Sequence, residues 1–114
     1  MNKHREINAI GLALVWSFTR AALLRKKVRH AEEFISRTVA VELNDNQFSA
    51  LVSLVLDIGV VDFINSTMLL RLNGGDHFDQ TPAEFSQWIK HDRNQLEDTE
   101  SVRRREAELD LYLS

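Results

Sequence analysis

Chemistry in this chain would have to come from a few side-chain groupings. The histidines, His4, His30, His77 and His91, are scattered. His30 and Glu33 stand three apart, a spacing that shares one helix face, but a metal site needs further ligands and none falls nearby. The pair reads as solvated. No serine has a His and Asp pattern suited to nucleophilic catalysis. The chain has no cysteine, which removes disulfides and thiolate metal sites. Arg103-Arg104-Arg105 suits phosphate, yet Glu100, Glu106, Glu108 and Asp110 surround it and favour ion pairs within one helix. Gly74-Gly75 has no strand before it and no Lys-Ser/Thr after it, so it reads as a turn rather than a phosphate loop. The chain has 17 acidic residues, so chance carboxylate pairs are common and composition alone argues for no glycosidase. Neither cofactor nor metal is expected.

The element that must position any site is the stretch Leu43–Leu72. Its centre, Phe48–Ile58, is apolar except for Ser49, Ala50, Ser53 and Asp57, so it reads as a helix buried most of the way round. It is too short to span a bilayer. Asn44 with Gln47 predicts a capping box at its start, and Gly59 a C-terminal cap. Val60–Asn65 reads as a connector. Asn65 or Ser66 caps a short helix through Leu72, which ends at Asn73-Gly74-Gly75-Asp76. Thr81-Pro82-Ala83-Glu84 starts a helix carrying Phe85, Trp88 and Ile89 on one face and ending near His91. Asp92–Asp98 is loop-like. Asp98 or Thr99 opens the last helix, whose inward stripe reads as Val102, Leu109 and Leu113.

From Arg5 to Val41 the apolar spacing is helical throughout. One helix over that range would be about 50 Å long at about 1.5 Å per residue, longer than a domain of this size is wide. Otherwise two helices meet near Arg25. Either a projecting helix or exposed apolar residues near Ala21–Leu24 predicts a homodimer through the N-terminal helices. Ile7–Phe18 follows basic residues as a signal peptide does, but it has no small-residue cleavage site and Arg20, Arg25, Lys26 and Lys27 come at once. It reads as a core helix.

The 114 residues suit one domain: N-terminal helices over 1–41 and a helical core over 42–114. With 44% apolar residues, one proline and four glycines, the class is all-α. Leu51, Val55, Phe63, Leu69, Trp88 and Leu109 are predicted to be buried together. The net charge of −3 offers no general attraction to nucleic acid or to an anionic membrane. It is divided unevenly: residues 1–30 carry +6 and residues 31–114 carry −9. The lack of cysteine fits a reducing compartment, and the cytoplasm of a bacterial host is the expected location.

Several stretches together resemble the phage-type lysozymes, the muramidase endolysins of lambdoid phages. Leu43–Leu54 (LNDNQFSALVSL) resembles the family's Leu-Thr-Asp-Asn-Gln, a variable pair, Ala-Leu-Val-Ser-Phe. Asp57-Ile58-Gly59 resembles its Asn-Val-Gly, and Phe63–Asp76 its Ser-Thr-Leu-Leu, Leu-Asn and Gly-Asp run. Glu84-Phe85 with Trp88 resembles its Glu-Phe-x-x-Trp, and Val102–Ser114 its C-terminal helix. The resemblance implies the helical lobe of a lysozyme fold around a buried central helix. Gly11–Phe18 (GLALVWSF) resembles the family's opening motif Gly-Leu-x-Leu-Ile-x-Ser-Phe-Glu-Gly, whose Glu is the catalytic acid. Here Thr19-Arg20 follows, so Thr19 occupies the acid's position, and threonine cannot protonate a leaving glycosidic oxygen. Ala21–Lys27 then joins almost directly to Val28–Val41, which resembles the helix linking the family's two lobes. The β-lobe, with its second carboxylate, is deleted.

The resemblance therefore implies a catalytically inactive relative, a phage or prophage protein acting by binding another protein in a regulatory, inhibitory or counter-defence role. The alternative is a peptidoglycan-binding module keeping half of the sugar site, and weak for that reason; a third reading is an active muramidase.

Overall fold

The computed structural model describes residues 4–18, 24–75, 81–91 and 93–114. Around α3 (Asp45–Ile58) are packed α1 (Ala9–Phe18), α2 (Leu24–Thr38), α4 (Val60–Ile64) and α6 (Thr99–Leu113). The smaller α5 (Thr67–Asn73) and a 3₁₀ helix, Pro82–Trp88, close the far side. Among the described residues there is no strand, only an isolated bridge between His91 and Glu97.

The centre of α3 is buried without interruption from Gln47 to Val55. Its start is a capping box: Asn44 Oδ1 accepts the Gln47 N–H at 2.7 Å, and Gln47 Oε1 accepts the Asn44 N–H at 2.9 Å. Gly59 ends it at φ 92°, ψ 160°, donating its N–H to Val55 O at 2.8 Å. That backbone region is open to glycine almost alone.

On α2 the residues Val28, Ala31 and Ile35 face inward at helical spacing, followed by Val39 just past its end. Arg25, Lys26, Lys27, Arg29 and His30 face out. Residues 5–41 thus hold two helices, α1 and α2, rather than one continuous helix. The predicted apolar exposure near Ala21–Leu24 lies outside the described residues, apart from the backbone of Leu24.

The segment before α1 is strapped down by polar contacts. Glu32, buried on α2, accepts from His4 Nε2 at 2.7 Å and from the Ile7 N–H at 2.6 Å. Arg5 donates to Leu43 O at 2.7 Å while lying over the Phe48 ring. Asn8 then caps α1 by accepting the Gly11 N–H at 2.8 Å. α1 crosses α3 at Gly11, where a Cβ would stand 2.6 Å from Ser49 Cβ. The glycine of the opening motif is thus a helix-crossing contact.

Several expectations need correction. Leu51, Val55, Phe63 and Leu69 are buried, but Trp88 and Leu109 are half-buried at the core's edge. Val60–Ile64 is a short helix, α4, rather than a connector, with Asn65 at its C-terminal cap. The helix after Pro82 is 3₁₀ and stops at Trp88. α1 is not a core helix: only Gly11 and Val15 are buried in it. The inward side of α6 is not Val102, Leu109 and Leu113; Leu113 is 56% exposed. The buried residues of α6 are Ser101, Arg104, Arg105, Glu108, Leu111 and Tyr112. Half of that surface is ionic, so a search for apolar periodicity picks the wrong face.

Candidate functional site at the end of α1

α1 ends at Phe18, beside the C-terminal turn of α3 and the first turns of α6. A cavity of about 160 Å³ opens there, lined by Phe18, Asp57, Lys90, Asp98, Glu100, Ser101 and Arg104. Thr19, the residue at the acid's position, follows directly and lies outside the described residues, as does His77.

Behind the cavity is a buried ionic cluster. Asp57 receives Arg105 Nη2 at 2.9 Å and Lys90 Nζ at 3.3 Å, with Arg104 Nη1 at 3.9 Å. Glu108 is fully buried. It accepts the Ser53 hydroxyl at 2.5 Å and Arg104 Nε at 3.2 Å. Arg105 Nε lies 2.7 Å from the other Glu108 oxygen, in ionic contact although the N–H does not aim along the line. The arginines are also anchored to backbone: Arg104 donates to Ser53 O at 2.8 Å and Arg105 to Trp88 O at 3.2 Å. The Arg104 guanidinium lies 5.8 Å above the Phe18 ring. The cluster therefore ties α3, α6 and the segment after the 3₁₀ helix together immediately beside the end of α1.

Burial acts to raise the Asp57 carboxyl, but Arg104, Arg105 and Lys90 together outweigh it and hold Asp57 below its ordinary value, so it is ionised at neutral pH. Burial dominates at Glu108 and pushes it up, against the pull of Arg105, the Ser53 hydroxyl and Arg104. Glu108 has no surface from which to exchange a proton with a ligand.

The other groupings read from sequence do not converge here. His4 is spent on Glu32, His30 is exposed, and His91 sits exposed in the bridge to Glu97. Glu33 is 3.4 Å from Arg29 and 3.8 Å from His4, and the described residues hold no cluster of potential metal ligands. Of the arginine run, Arg103 is exposed, while Arg104 and Arg105 do pair within their own helix, to Glu108. Their engagement of Asp57 and Ser53 was missed. The signal was present: Ser49, Ser53 and Asp57 are the polar positions in the otherwise apolar stretch Phe48–Ile58, and a carboxylate drawn into the interior requires a cation.

The phage lysozyme family model matches residues 10–108. The chain belongs to the phage lysozyme family. It is 35% identical over 95 residues to an endolysin of Acyrthosiphon pisum secondary endosymbiont phage 1, covering 82% of this chain and 64% of that endolysin. The chain thus spans less than two thirds of that relative, and 34% of a Bacillus phage B103 endolysin to which it is 33% identical over 92 residues, or 81% of this chain. Among solved structures, the muramidase domain of SpmX from Asticcacaulis excentricus superposes with a TM-score of 0.84 at 25% identity, covering 98% of this chain and 99% of that one. A mutant of P22 lysozyme superposes at 0.80 and 23% identity, covering 96% and 99%. This family member is a lysozyme-like helical lobe.

Proposed function

We propose that this chain does not hydrolyse peptidoglycan and acts instead by binding another protein, in a regulatory, inhibitory or counter-defence role inside a bacterial host cell. One observation carries the reading. At the end of α1, where the family motif calls for Glu, the sequence has Thr19. No described carboxyl at the cavity or in the cluster behind it is free to donate a proton. Asp57 is ionised in ion pairs, Glu108 is sealed, Asp98 caps α6 through the Ser101 N–H at 2.9 Å, and Glu100 is exposed. Glycosidic cleavage needs a proton donor on one side of the bond and a carboxylate or activated water on the other.

The names of the relatives, endolysin and muramidase domain, favour a second reading in which the chain still meets peptidoglycan, as a binding module or a residual muramidase. Turbidity loss of chloroform-treated Gram-negative cells separates cleavage from its absence, and co-sedimentation with purified sacculi detects binding. The proposal expects neither lysis nor retention. Lysis establishes the muramidase, and retention without lysis the binding module.

A further inference from the structure

α1 carries a three-turn face without a charge that nothing described here covers. Ile10 is 63% exposed, Trp16 58% and Leu12 37%, and Ala9, Ala13 and Ser17 run down the middle between them. Ser17 gives its hydroxyl proton to Ala13 O at 2.9 Å, so the face asks for no polar partner. What borders it is charged, with opposite sign on its two sides. Along Leu12 and Trp16 runs a groove of about 460 Å³ shared with α2, edged by Arg25 and Arg29 beside Trp16 and by His4, exposed Glu6 and buried Glu32 toward Ile7. Along Ile10 and Leu14 runs a second groove, about 580 Å³, shared with α6 and edged by Asp110. Exposed Lys26 adds to the basic side, while Glu106 and Asp110 outweigh Arg103 on the acidic one.

Both flanking helices run antiparallel to α1. Glu32 of α2 holds the Ile7 N–H and Arg25 reaches the level of Trp16; on α6, Arg104 meets Phe18 while Ser114 reaches Asn46, which bonds Asn8. At about 1.5 Å per residue, Arg25, Arg29 and Asp110 stand at similar heights on opposite sides of α1.

We propose that this face of α1 is the docking surface for a second copy of this chain, the two α1 helices lying side by side and parallel about a two-fold axis that runs along them. That rotation brings the basic flank of each copy against the acidic flank of the other. An antiparallel pairing sets like charge on like. A bilayer matches only the basic half of the surface and is repelled by Glu106 and Asp110, whereas a second copy matches both halves. The inference holds whether or not the chain cleaves peptidoglycan.

The chain has no native cysteine, which makes the geometry directly testable. Because the axis follows the helix, each residue on it faces its own copy. Ala9→Cys and Ser17→Cys should each give a disulfide-linked dimer on oxidation, and neither depends on the other being present. Sedimentation equilibrium should show a dimer at micromolar concentration, weakened about a hundredfold or more by Trp16→Glu. Arg25→Glu/Arg29→Glu and Asp110→Lys should each weaken self-association, and mixing those two variants should restore a heterodimer. Circular dichroism confirms that the variants are folded, and all these positions are exposed. A monomer at high micromolar concentration overturns the proposal, as does a monomer that floats with phosphatidylglycerol vesicles. Cross-linking only when Ala9→Cys is mixed with Ser17→Cys overturns the parallel arrangement.

Discussion

Arg105 shows how a single residue holds the site's neighbourhood together. It is 2% exposed, reaches Asp57, Glu108 and the Trp88 carbonyl, and stands between two carboxylates. Removing one partner of a buried ionic group leaves the others uncompensated, which typically costs about 3–5 kcal/mol. Arg105→Ala is expected to lose that much in urea unfolding, while Arg103→Ala, on the exposed side, should change stability by less than about 0.5 kcal/mol. Asp57 sets an acid-side signature. Its folded value lies below its unfolded one, so its contribution is present above the unfolded value, about 3.9, and disappears as pH falls through the folded value. The stability gap between wild type and Asp57→Asn should be full at pH 7 and close below about pH 4. Glu108 acts in the opposite sense: its folded value is raised, so its contribution is present at low pH and lost as pH rises through that value. A gap that stays constant down to pH 2 would show that Asp57 is not held by these cations.

The elements differ in how far their sequence declared them. The start and end of α3 were legible because each depends on a few local residues, Asn44 with Gln47 and then Gly59. Ser66 and Asp98 were legible for the same reason, each accepting the backbone N–H three residues on. α6 was not, because its buried face is built from Arg104, Arg105 and Glu108, and periodicity counts those as solvent-facing. α1 misled in the other direction: it is apolar nearly all round but packs on one side only. Gly11 was recognised as a motif residue, while its reason, contact with Ser49, is tertiary and invisible in sequence. Gly11→Ala should therefore cost about 1–3 kcal/mol by overpacking, seen as a lower melting temperature. At the core, Leu51→Ala should cost about 2–5 kcal/mol, and Trp88→Ala less, since that side chain is only partly buried at the core's edge. Equal losses for the two would contradict the placement of Trp88 at the edge.

For the whole molecule, the family fixes the fold. The fold of the lysozyme helical lobe is present, with its central helix α3. On the proposed reading the family's proton donor is not, since Thr19 stands at its motif position. The resemblance located that difference from sequence, because the opening motif is nearly intact up to Phe18; the surroundings of the changed position needed the structure. General acid catalysis contributes about 10²–10⁴-fold, well below an enzyme's usual total of about 10⁶-fold or more, so returning a carboxyl alone should not return the activity. A free glutamate carboxyl titrates at about 4.3 and is ionised at neutral pH, so Thr19→Glu would need surroundings that raise it before it could donate a proton. The most direct measurement is reducing-end release from purified sacculi by the wild-type chain and by Thr19→Glu, beside an active phage lysozyme. The account expects both to match buffer alone. Turnover by the wild type would contradict it outright, and turnover by Thr19→Glu alone would show that the helical lobe suffices for catalysis once its acid is restored.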